Sequence, residues 1–410
     1  MNCRFCGLTL NHVVADLGFS PPSNSFLKIE DLNKVEKYYP LKVMVCDSCY
    51  LVQVDEFAQH DEIFSDDYVY FSSFSSSWLE HSKRYVDYIS ERIKLQSDSQ
   101  VIEIASNDGY LLQYFKNKNI PVLGIEPTSN TANVAIEKGI PTRIEFFGIN
   151  CACSLVKEGI KADLLLGNNV LAHVPDINDF VGGMKIVLKD NGTITMEFPH
   201  LLQLMDKNQF DTIYHEHFSY LSLRSVQKIF AHHGLSIYHV EEIPTHGGSL
   251  RIFAKHQDNK TIDVENSVIE LLRKEENFGL QKISTYTEFQ IKIEQIKNQF
   301  NKFLIEAKLE NKKVAAYGAA AKGNTLLNYC GVRKDLLNFI VDASPHKQNK
   351  FIPGMHIPVV SEDKIKTEKP DYIVILPWNL KEEITGQLQY IHQWGGKFVV
   401  AIPNVQILQS

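Results

Sequence analysis

The sequence predicts a three-part α/β protein, and three observations lead to this fold class. Two Cys-x-x-Cys pairs lie near the N-terminus, strand-like and helical segments alternate from Val101 onwards, and a second alternating series begins at Val314. Alternation of this kind is typical of a mostly parallel sheet with helices on both faces. We therefore expect a cysteine-rich N-terminal module, a central Rossmann-like domain and a smaller Rossmann-like domain at the C-terminus.

At 410 residues the chain exceeds one ordinary domain. Hydrophobic residues make up 44% and charged residues 22%, which is the composition of a soluble globular protein. The net charge of −7 provides no basic field for nucleic acid, and no apolar run approaches the roughly 20 residues of a membrane helix. The first residues also lack a signal peptide. We expect a cytoplasmic protein, monomeric or weakly homo-oligomeric, without nucleic-acid or membrane partners.

Two Cys-x-x-Cys pairs define the first predicted domain, residues 1–65. Their members are Cys3, Cys6, Cys46 and Cys49. In a reducing compartment such pairs favour a metal over a disulfide, and four thiolates complete the tetrahedral coordination of zinc. No position then remains for a catalytic water, so we predict a structural zinc site. Free core cysteines are the alternative interpretation.

The second predicted domain, residues 66–260, alternates strands with helices. Its strands are expected at residues 101–104, 122–125, 164–166, 193–198, 236–240 and 250–254. Residues 261–310 are charged and helix-favouring, with apolar side chains at spacings of three and four, and are expected to form a helical connector. The last domain, residues 311–410, repeats the alternation, with strands near residues 314, 339, 372 and 398.

The strand at residues 101–104 runs into a turn of small residues and then a helix. The turn consists of Ala105, Ser106, Asn107, Asp108 and Gly109. In open parallel sheets, ligands bind beyond the carboxyl ends of the strands, where N–H groups at a helix N-terminus approach them. The pattern fits a nucleotide or S-adenosylmethionine pocket, whereas a single glycine is a poor match to a dinucleotide motif.

Two acidic residues accompany this turn. Glu103 lies on the strand itself, and Glu126 ends the next strand, where an acid usually accepts hydrogen bonds from two ribose hydroxyls. The alternative is that both are surface acids at strand ends. The segment around Phe146 is expected to flank an adenine. The remaining candidate cofactor residues are Pro127, Asn168 and Asn169.

Four consecutive residues, Tyr214, His215, Glu216 and His217, place a phenol, two imidazoles and a carboxylate together. A neutral imidazole is suited to remove a proton from a carbon beside a ketone, and the developing oxyanion then needs donors. This cluster, following a cofactor cradle, predicts transfer of a group to carbon. The alternatives are satisfied core histidines and a catalytic metal site, although the His-Glu-x-x-His spacing is absent.

Together these motifs resemble the NDP-sugar C-methyltransferases of deoxysugar biosynthesis, which methylate C3 of 4-keto sugars. The resemblance covers nearly the whole chain. It is carried by the cysteine module and by residues 68–73, 103–109, 168–176, 213–220, 246–251 and 318–324. Its most specific features are the run Tyr-His-Glu-His-Phe-Ser-Tyr and a zinc module ahead of a methyltransferase core.

The resemblance implies a class I methyltransferase domain, S-adenosylmethionine as cofactor, and a nucleotide-diphospho sugar held between the central and C-terminal domains. His217 would be the base, with Tyr214 and Glu216 orienting it or the sugar. Tyr68 and His173 match family positions that hydrogen-bond the keto or enolate oxygen. The residues expected to bind the substrate are Tyr70, His246, Gly248, Ser249, Arg251, Lys322 and Asn324.

Two of these segments also have plainer interpretations. The turn at residues 318–325, with Lys322, suits a diphosphate, but tight strand–helix packing with a solvated lysine is the alternative. Residues 246–251 suit a sugar pocket, but a glycine turn into a strand is the alternative.

We therefore expect methylation at C3 of a nucleotide-linked 4-keto-6-deoxy sugar through a base-generated enolate. Methyl transfer to oxygen or nitrogen of a sugar or another small molecule is the second hypothesis. A zinc-ribbon adaptor or nucleic-acid-binding protein with a degenerate α/β core is a third, disfavoured by a pI of about 6.1. A dinucleotide oxidoreductase is a fourth and would require NAD at either glycine turn.

Overall fold

The computed structural model of this protein describes residues 1–57 and 71–408. Within these ranges the strands form three sheets, of four, seven and six strands. Tyr68 and Tyr70, which the family resemblance places at the substrate, lie outside the described residues. Among the described helices, none combines the length and the apolar character that crossing a membrane would require.

The first sheet is antiparallel and contains one strand from far along the chain. Its order is β1 (His12–Ser20), β2 (Tyr39–Val45), β3 (Val52–Val54) and β9 (Ser219–Tyr220). Val52 pairs with Tyr220, so the N-terminal module is hydrogen-bonded to the residues that directly follow His217. The module and the tyrosine–histidine segment are therefore positioned by one sheet.

The four paired cysteines come together beside this sheet. Their sulfur atoms all lie within 4.8 Å of one another, with Cys3–Cys49 and Cys6–Cys46 separations of 3.5 Å. A tetrahedral zinc ion with Zn–S bonds of about 2.3 Å holds its sulfurs about 3.8 Å apart. The thiols therefore have the spacing that one zinc ion requires.

The central sheet has the order β10-β11-β8-β7-β4-β5-β6. Its strands are β4 (Val101–Ile104), β5 (Val122–Ile125), β6 (Thr142–Arg143), β7 (Ala162–Asn168), β8 (Leu188–Pro199), β10 (Leu235–Ile243) and β11 (Ser249–His256). The first five of these are mutually parallel, whereas β11 runs antiparallel between β8 and β10. The carboxyl ends of the parallel strands consequently meet at one edge.

Helices cover both faces of the central sheet. They span Ser76–Arg92, Leu112–Asn117, Ser129–Glu137, Ile149–Lys157, Ile177–Val187 and Leu223–His232, whereas helix Leu201–Asp206 packs in the hydrophobic cluster of the first and third sheets. The inner strands β5 and β7 are largely buried, and all four residues of β4 are buried, including Glu103. A sheet covered on both faces loses the alternation of polar and apolar residues, which accounts for the continuous apolar runs in the sequence.

The connector predicted at residues 261–310 forms three helices. Their bounds are Asn266–Phe278, Ile283–Thr287 and Phe289–Leu309. The first ends at Gly279, whose left-handed φ of 99° stops the helix. The last buries its apolar stripe, which includes Phe289, Ile296 and Phe300, as the spacing predicts.

The third sheet has the order β14-β13-β12-β15-β16-β17 and is parallel except for its last strand. The strands are β12 (Val314–Tyr317), β13 (Ile340–Val341), β14 (Val359–Val360), β15 (Tyr372–Ile375), β16 (Lys397–Val400) and β17 (Gln406–Ile407). Its helices are Ala321–Cys330, Asp363–Glu368 and Lys381–Gln387. One hydrophobic cluster joins this sheet to the first sheet and to helix Phe289–Leu309.

We predict that Cys49→Ser abolishes zinc binding and lowers the temperature of thermal unfolding. Three thiolates cannot complete the coordination, and a structural zinc ion contributes folding free energy directly. Elemental analysis should fall from about one zinc ion per chain to a small fraction of that, and calorimetry measures the unfolding. Cys153→Ser, a half-buried cysteine outside the cluster, is the control. Equal zinc content in the two variants would contradict the site.

Candidate active site

The turn after β4 is tightly wound. Ala105, Asn107 and Gly109 all have left-handed backbones, with φ of 56°, 49° and 74°. A side chain at Gly109 would collide with Ile140, because a Cβ there would lie 2.3 Å from its Cδ1 atom. Only glycine therefore fits this position, and the turn presents its backbone at the carboxyl end of β4.

Glu103 has an unusual environment. Its side chain is fully buried, and neither carboxylate oxygen has a hydrogen-bond partner of normal geometry among the described residues. Burial raises the pKa of Glu103 well above its ordinary value, and the Tyr110 phenol offsets this only in part. An unpartnered buried carboxylate is costly alone and is stabilised by a cationic ligand.

The carboxylate of Glu126 already accepts hydrogen bonds from neighbouring residues of the protein. Its Oε2 accepts from the backbone N–H of Asn107 at 2.9 Å, and its Oε1 accepts from both the N–H and the hydroxyl of Thr128. A carboxylate offers about four lone-pair sites, so these donors leave little capacity for two ribose hydroxyls. The structure shows Glu126 holding the left-handed turn, and its ribose contact stays a prediction.

The segment before helix Ser76–Arg92 closes over the turn. The N–H of Ser72 donates to Asn107 Oδ1 at 2.9 Å, and the Ser73 hydroxyl donates to Asp108. Ser106, a residue of the turn itself, is fully buried. The serine-rich stretch is therefore packed against the candidate cofactor site where the structure describes it, rather than forming a free linker.

The remaining candidate cofactor residues follow neighbouring strands at the same edge. Pro127 follows β5 and is half-buried, and Phe146 follows β6 with 49% of its surface exposed. Asn168 ends β7, with its amide 3.5 Å from the Tyr110 hydroxyl. Asn169 has a left-handed φ of 56°. β7 and β5 flank β4 and β6 lies beyond β5, so these residues follow strands on both sides of the turn.

Two imidazoles meet in the loop that precedes β9. The rings of His173 and His217 are edge-to-face with centroids 4.6 Å apart, and Tyr214 lies over His217 at 3.9 Å. His217 Nδ1 donates to the carbonyl of Thr212 at 2.9 Å, and His173 Nδ1 donates to the carbonyl of Glu216 at 2.7 Å. A carbonyl only accepts, so each neutral ring carries its lone pair on Nε2.

Burial keeps both rings neutral. It lowers the pKa of His173 to about 4 and the pKa of His217 well below its ordinary value. The second shift is reinforced by the nearby charges that His173, His246 and Lys322 can carry. A neutral histidine with an oriented Nε2 lone pair is equipped to accept a proton.

The two residues between Tyr214 and His217 contact the N-terminal module. The carboxylate of Glu216 accepts from the Asn24 amide at 2.7 Å, and burial raises its pKa to about 7. His215 donates from Nε2 to the Pro40 carbonyl at 3.2 Å. The Glu216 side chain therefore does not orient His217; the Thr212 carbonyl has that role.

Residues 246–251 divide between the site and its framework. His246 has a left-handed φ of 55°, and its Nε2 accepts from the Asn169 amide at 3.0 Å. Gly248 also needs its positive φ, 125°. Ser249 is buried and donates to the Thr245 carbonyl. Arg251 is 5% exposed and is bound by two carboxylates, so only His246 of this segment reaches the imidazole cluster.

The second glycine turn brings one of its two candidates to the site. Lys322 begins helix Ala321–Cys330, is half-buried and donates to Asn379 Oδ1 at 2.8 Å. Asn324 is 1% exposed and donates to the Ser23 carbonyl at 3.0 Å. Asn324 therefore binds the C-terminal sheet to the N-terminal module instead of facing a ligand.

Sequence reasoning missed a junction between the central and C-terminal sheets. Trp378, after β15, donates from Nε1 to Asp211 Oδ2 at 2.7 Å, and burial raises the pKa of Asp211 to about 6. The same indole lies against Gly247, where an added Cβ would approach its Cη2 atom to 2.3 Å. No local pattern marks an aspartate and a tryptophan 167 positions apart as partners.

Three known protein families match successive parts of the chain. Residues 3–64 match a family described as "Putative zinc binding domain", residues 78–240 match "Methyltransferase domain", and residues 244–403 match "C-methyltransferase C-terminal domain". The C-methyltransferase NovU of Streptomyces niveus is 34% identical over 408 residues, covering 100% of this chain and 97% of that protein.

Two solved structures resemble the chain at lower identity. An S-adenosylmethionine-dependent methyltransferase from Clostridium acetobutylicum is 12% identical and covers 48% of this chain and 96% of its own, with a TM-score of 0.36. The magnesium protoporphyrin IX methyltransferase of Synechocystis with bound S-adenosylmethionine is 15% identical, at 47% and 88% coverage and a TM-score of 0.33.

The full-length relationship to a C-methyltransferase favours carbon over oxygen or nitrogen as the acceptor, and it contradicts the adaptor and oxidoreductase alternatives. The predicted α/β fold with a zinc module is confirmed, as are the two cofactors. The unpartnered Glu103 carboxylate beside the turn suits a cationic cofactor. The chain belongs to the C-methyltransferase family and is an S-adenosylmethionine-dependent enzyme with a structural zinc module.

Proposed function

We propose that this enzyme methylates C3 of a nucleotide-linked 4-keto-6-deoxy sugar through an enolate. The observation that carries the proposal is the orientation of His217. Its Nδ1 donates to the Thr212 carbonyl, which directs the Nε2 lone pair away from that carbonyl in a buried, neutral ring. A carbon beside a ketone is a weak acid, and such a base is what its ionisation needs.

The proton and electron changes follow from this geometry. His217 Nε2 takes the C3 proton, and the electron pair of the C–H bond moves into the C3–C4 bond. The ketone oxygen then carries the negative charge. S-adenosylmethionine, held at the turn after β4, would supply the methyl group as a sulfonium. C3 would take that methyl as the methyl–sulfur bond breaks, its electron pair would stay on the sulfur of the departing S-adenosylhomocysteine, and the ketone would re-form. The Tyr214 ring, which packs against His217 at an interplanar angle of 35°, helps to hold the imidazole in place.

The structure supports a changed role for His173. Because its Nδ1 proton is committed to the Glu216 carbonyl and its pKa is about 4, its Nε2 accepts hydrogen bonds rather than donating them. A neutral His173 is therefore unsuited to stabilise an enolate oxygen.

The two substrates are assigned to opposite sides of His246. Glu103 and the turn after β4 are assigned to the cofactor, because a cationic ligand would relieve the unpartnered carboxylate. The nucleotide sugar is assigned to the cleft between the central and C-terminal sheets, with domain limits at residues 66–260 and 311–410. Ser249, Arg251 and Asn324 act as framework residues in this proposal.

We predict that His217→Ala lowers methyl transfer by about 10²–10⁴-fold without weakening S-adenosylmethionine binding. A panel of nucleotide 4-keto-6-deoxy sugars tritiated at C3 serves as substrate. Loss of tritium to water in the absence of methyl transfer, and transfer of labelled methyl, report the two steps. Calorimetry reports cofactor binding.

The neighbouring His215→Ala is the matched control, since that imidazole contacts Pro40 and not the cluster. It should retain the greater part of both activities. If His217→Ala exchanged tritium at the wild-type rate, His217 would not be the base that takes the C3 proton. Absence of exchange by the wild-type enzyme on every sugar of the panel would remove the enolate pathway.

The pH dependence of tritium exchange should reflect the lowered pKa of His217. The base acts when neutral, so the rate should stay constant as pH falls through 6.5 and decline only at the lower pKa. Any additional change near pH 7 is expected from Glu216, whose pKa is about 7, and should vanish in Glu216→Gln. An acidic limb centred at 6.5 in both proteins would contradict the buried neutral base.

Cofactor binding should release a proton from Glu103. Burial raises the pKa of Glu103 and so favours its protonated form, whereas a cation beside it favours the carboxylate. Calorimetry in buffers of different ionisation enthalpy measures the release. Glu103→Gln should abolish it and weaken binding by about tenfold, while the exposed Glu137→Gln should change neither. Unchanged proton release in Glu103→Gln would contradict the assignment.

A further inference from the structure

Lys322 lies where the C-terminal domain contacts the candidate active site. It follows β12 at the first turn of helix Ala321–Cys330, and its Nζ lies 4.9 Å from the centre of the Trp378 ring. Asn379, the next residue after this indole, accepts one of its hydrogen bonds at 2.8 Å. Two consecutive residues after β15 therefore fix the position of the ammonium group.

The same indole connects Lys322 to the imidazole cluster. Trp378 donates to Asp211, which directly precedes Thr212, the residue that orients His217. Its ring also touches Gly247, the neighbour of His246. The Trp378 indole therefore lies between the ammonium group and two segments of the candidate active site, those of Asp211 and Gly247.

The ammonium group keeps unused hydrogen-bonding capacity. A lysine has three N–H donors, and only the bond to Asn379 satisfies one of them among the described residues. In this part of the chain no carboxylate lies within ion-pair distance of Lys322, although Asp211 is near enough to favour its charged form. A half-buried cation with two donors to spare points to an anionic group on the substrate.

A diphosphate at the adjacent turn is a poor candidate for that anion. The N–H of Ala319 in this turn already donates to Asp342 Oδ2 at 2.8 Å. Lys347 binds the Ala319 carbonyl at 3.0 Å and lies 3.5 Å from Asp342. A diphosphate at this N–H would have to displace the Asp342 carboxylate, which already accepts its hydrogen bond.

The reaction itself requires a donor that the imidazoles do not provide. Both His173 and His217 commit their Nδ1 protons to backbone carbonyls. We propose that Lys322 binds the C4 oxygen of the sugar and stabilises its negative charge in the enolate, with Trp378 and Asn379 as positioning residues. This inference rests on the proposed function.

The effect of the Lys322 charge on ionisation of the substrate carbon depends on which group the ammonium contacts. An ammonium group favours a nearby anion, but it also disfavours protonation of His217, whose pKa it helps to lower. Coulomb energy falls with distance, so direct contact with the oxygen outweighs a more distant imidazolium. Lys322 therefore helps ionise the carbon only if it touches the oxygen, and this can be tested.

The test compares Lys322→Met with Lys322→Arg, using tritium exchange at saturating nucleotide sugar without methyl transfer. We expect Lys322→Met to slow exchange by about 10²–10³-fold, the usual loss when one oxyanion donor is removed. Lys322→Arg, which keeps the charge, should recover at least about tenfold of that loss. S-adenosylmethionine binding, measured by calorimetry, should match the wild type and show that the variants are folded.

Lys381→Met, which removes an exposed lysine close to Asn379, is the matched control and should exchange normally. Normal exchange by Lys322→Met with weaker binding of uridine or thymidine diphosphate would make Lys322 a phosphate ligand and overturn the proposal. If Lys322→Met exchanges tritium normally at neutral pH and only the acidic limb of its pH profile is displaced, Lys322 acts by modulating the pKa of His217. That outcome would also overturn the proposal. If the wild-type enzyme fails to exchange any sugar, the proposed function itself fails.

Discussion

The hydrogen bond from His217 Nδ1 to the Thr212 carbonyl is the interaction on which this active site depends. At 2.9 Å it selects one tautomer, and burial then keeps that ring neutral. Without the carbonyl, the imidazole could present a proton instead of a lone pair, and it could turn away from the substrate. Desolvation alone would give a neutral histidine, but not a directed one.

The zinc module contributes to this arrangement through contacts rather than chemistry. β3 pairs with β9 directly after His217, and the module supplies the partners of Glu216 and His215, which are Asn24 and the Pro40 carbonyl. A coordinated metal ion makes the module rigid enough to provide them. The cysteines thus stabilise the catalytic loop from the far side.

Buried charge is concentrated around the meeting point of the sheets. Burial opposes ionisation of Glu197, yet His81 and Arg251 lower its pKa, and Thr245 donates to it at 3.0 Å. Such a network is expensive to desolvate and is stable only when its hydrogen bonds are satisfied. The network is linked to the candidate active site, because Thr245, which donates to Glu197, directly precedes His246. Both carboxylate oxygens of Glu197 have hydrogen-bond partners, whereas Glu103 and Lys322 retain capacity for ligands.

The local sequence was sufficient to predict the four-cysteine site, the turn after β4 and the grouping of Tyr214 with His217. Each depends on residues adjacent in the chain, or on a spacing that a metal or a strand–turn–helix unit imposes. Partnerships across the fold were decided by tertiary structure. Glu126 binds its own turn, and Arg251 and Asn324 bind the framework, because buried donors and acceptors must find partners among whichever groups the packing brings near. The contact between Asp211 and Trp378 arises in the same way, since only the docking of two sheets makes them neighbours.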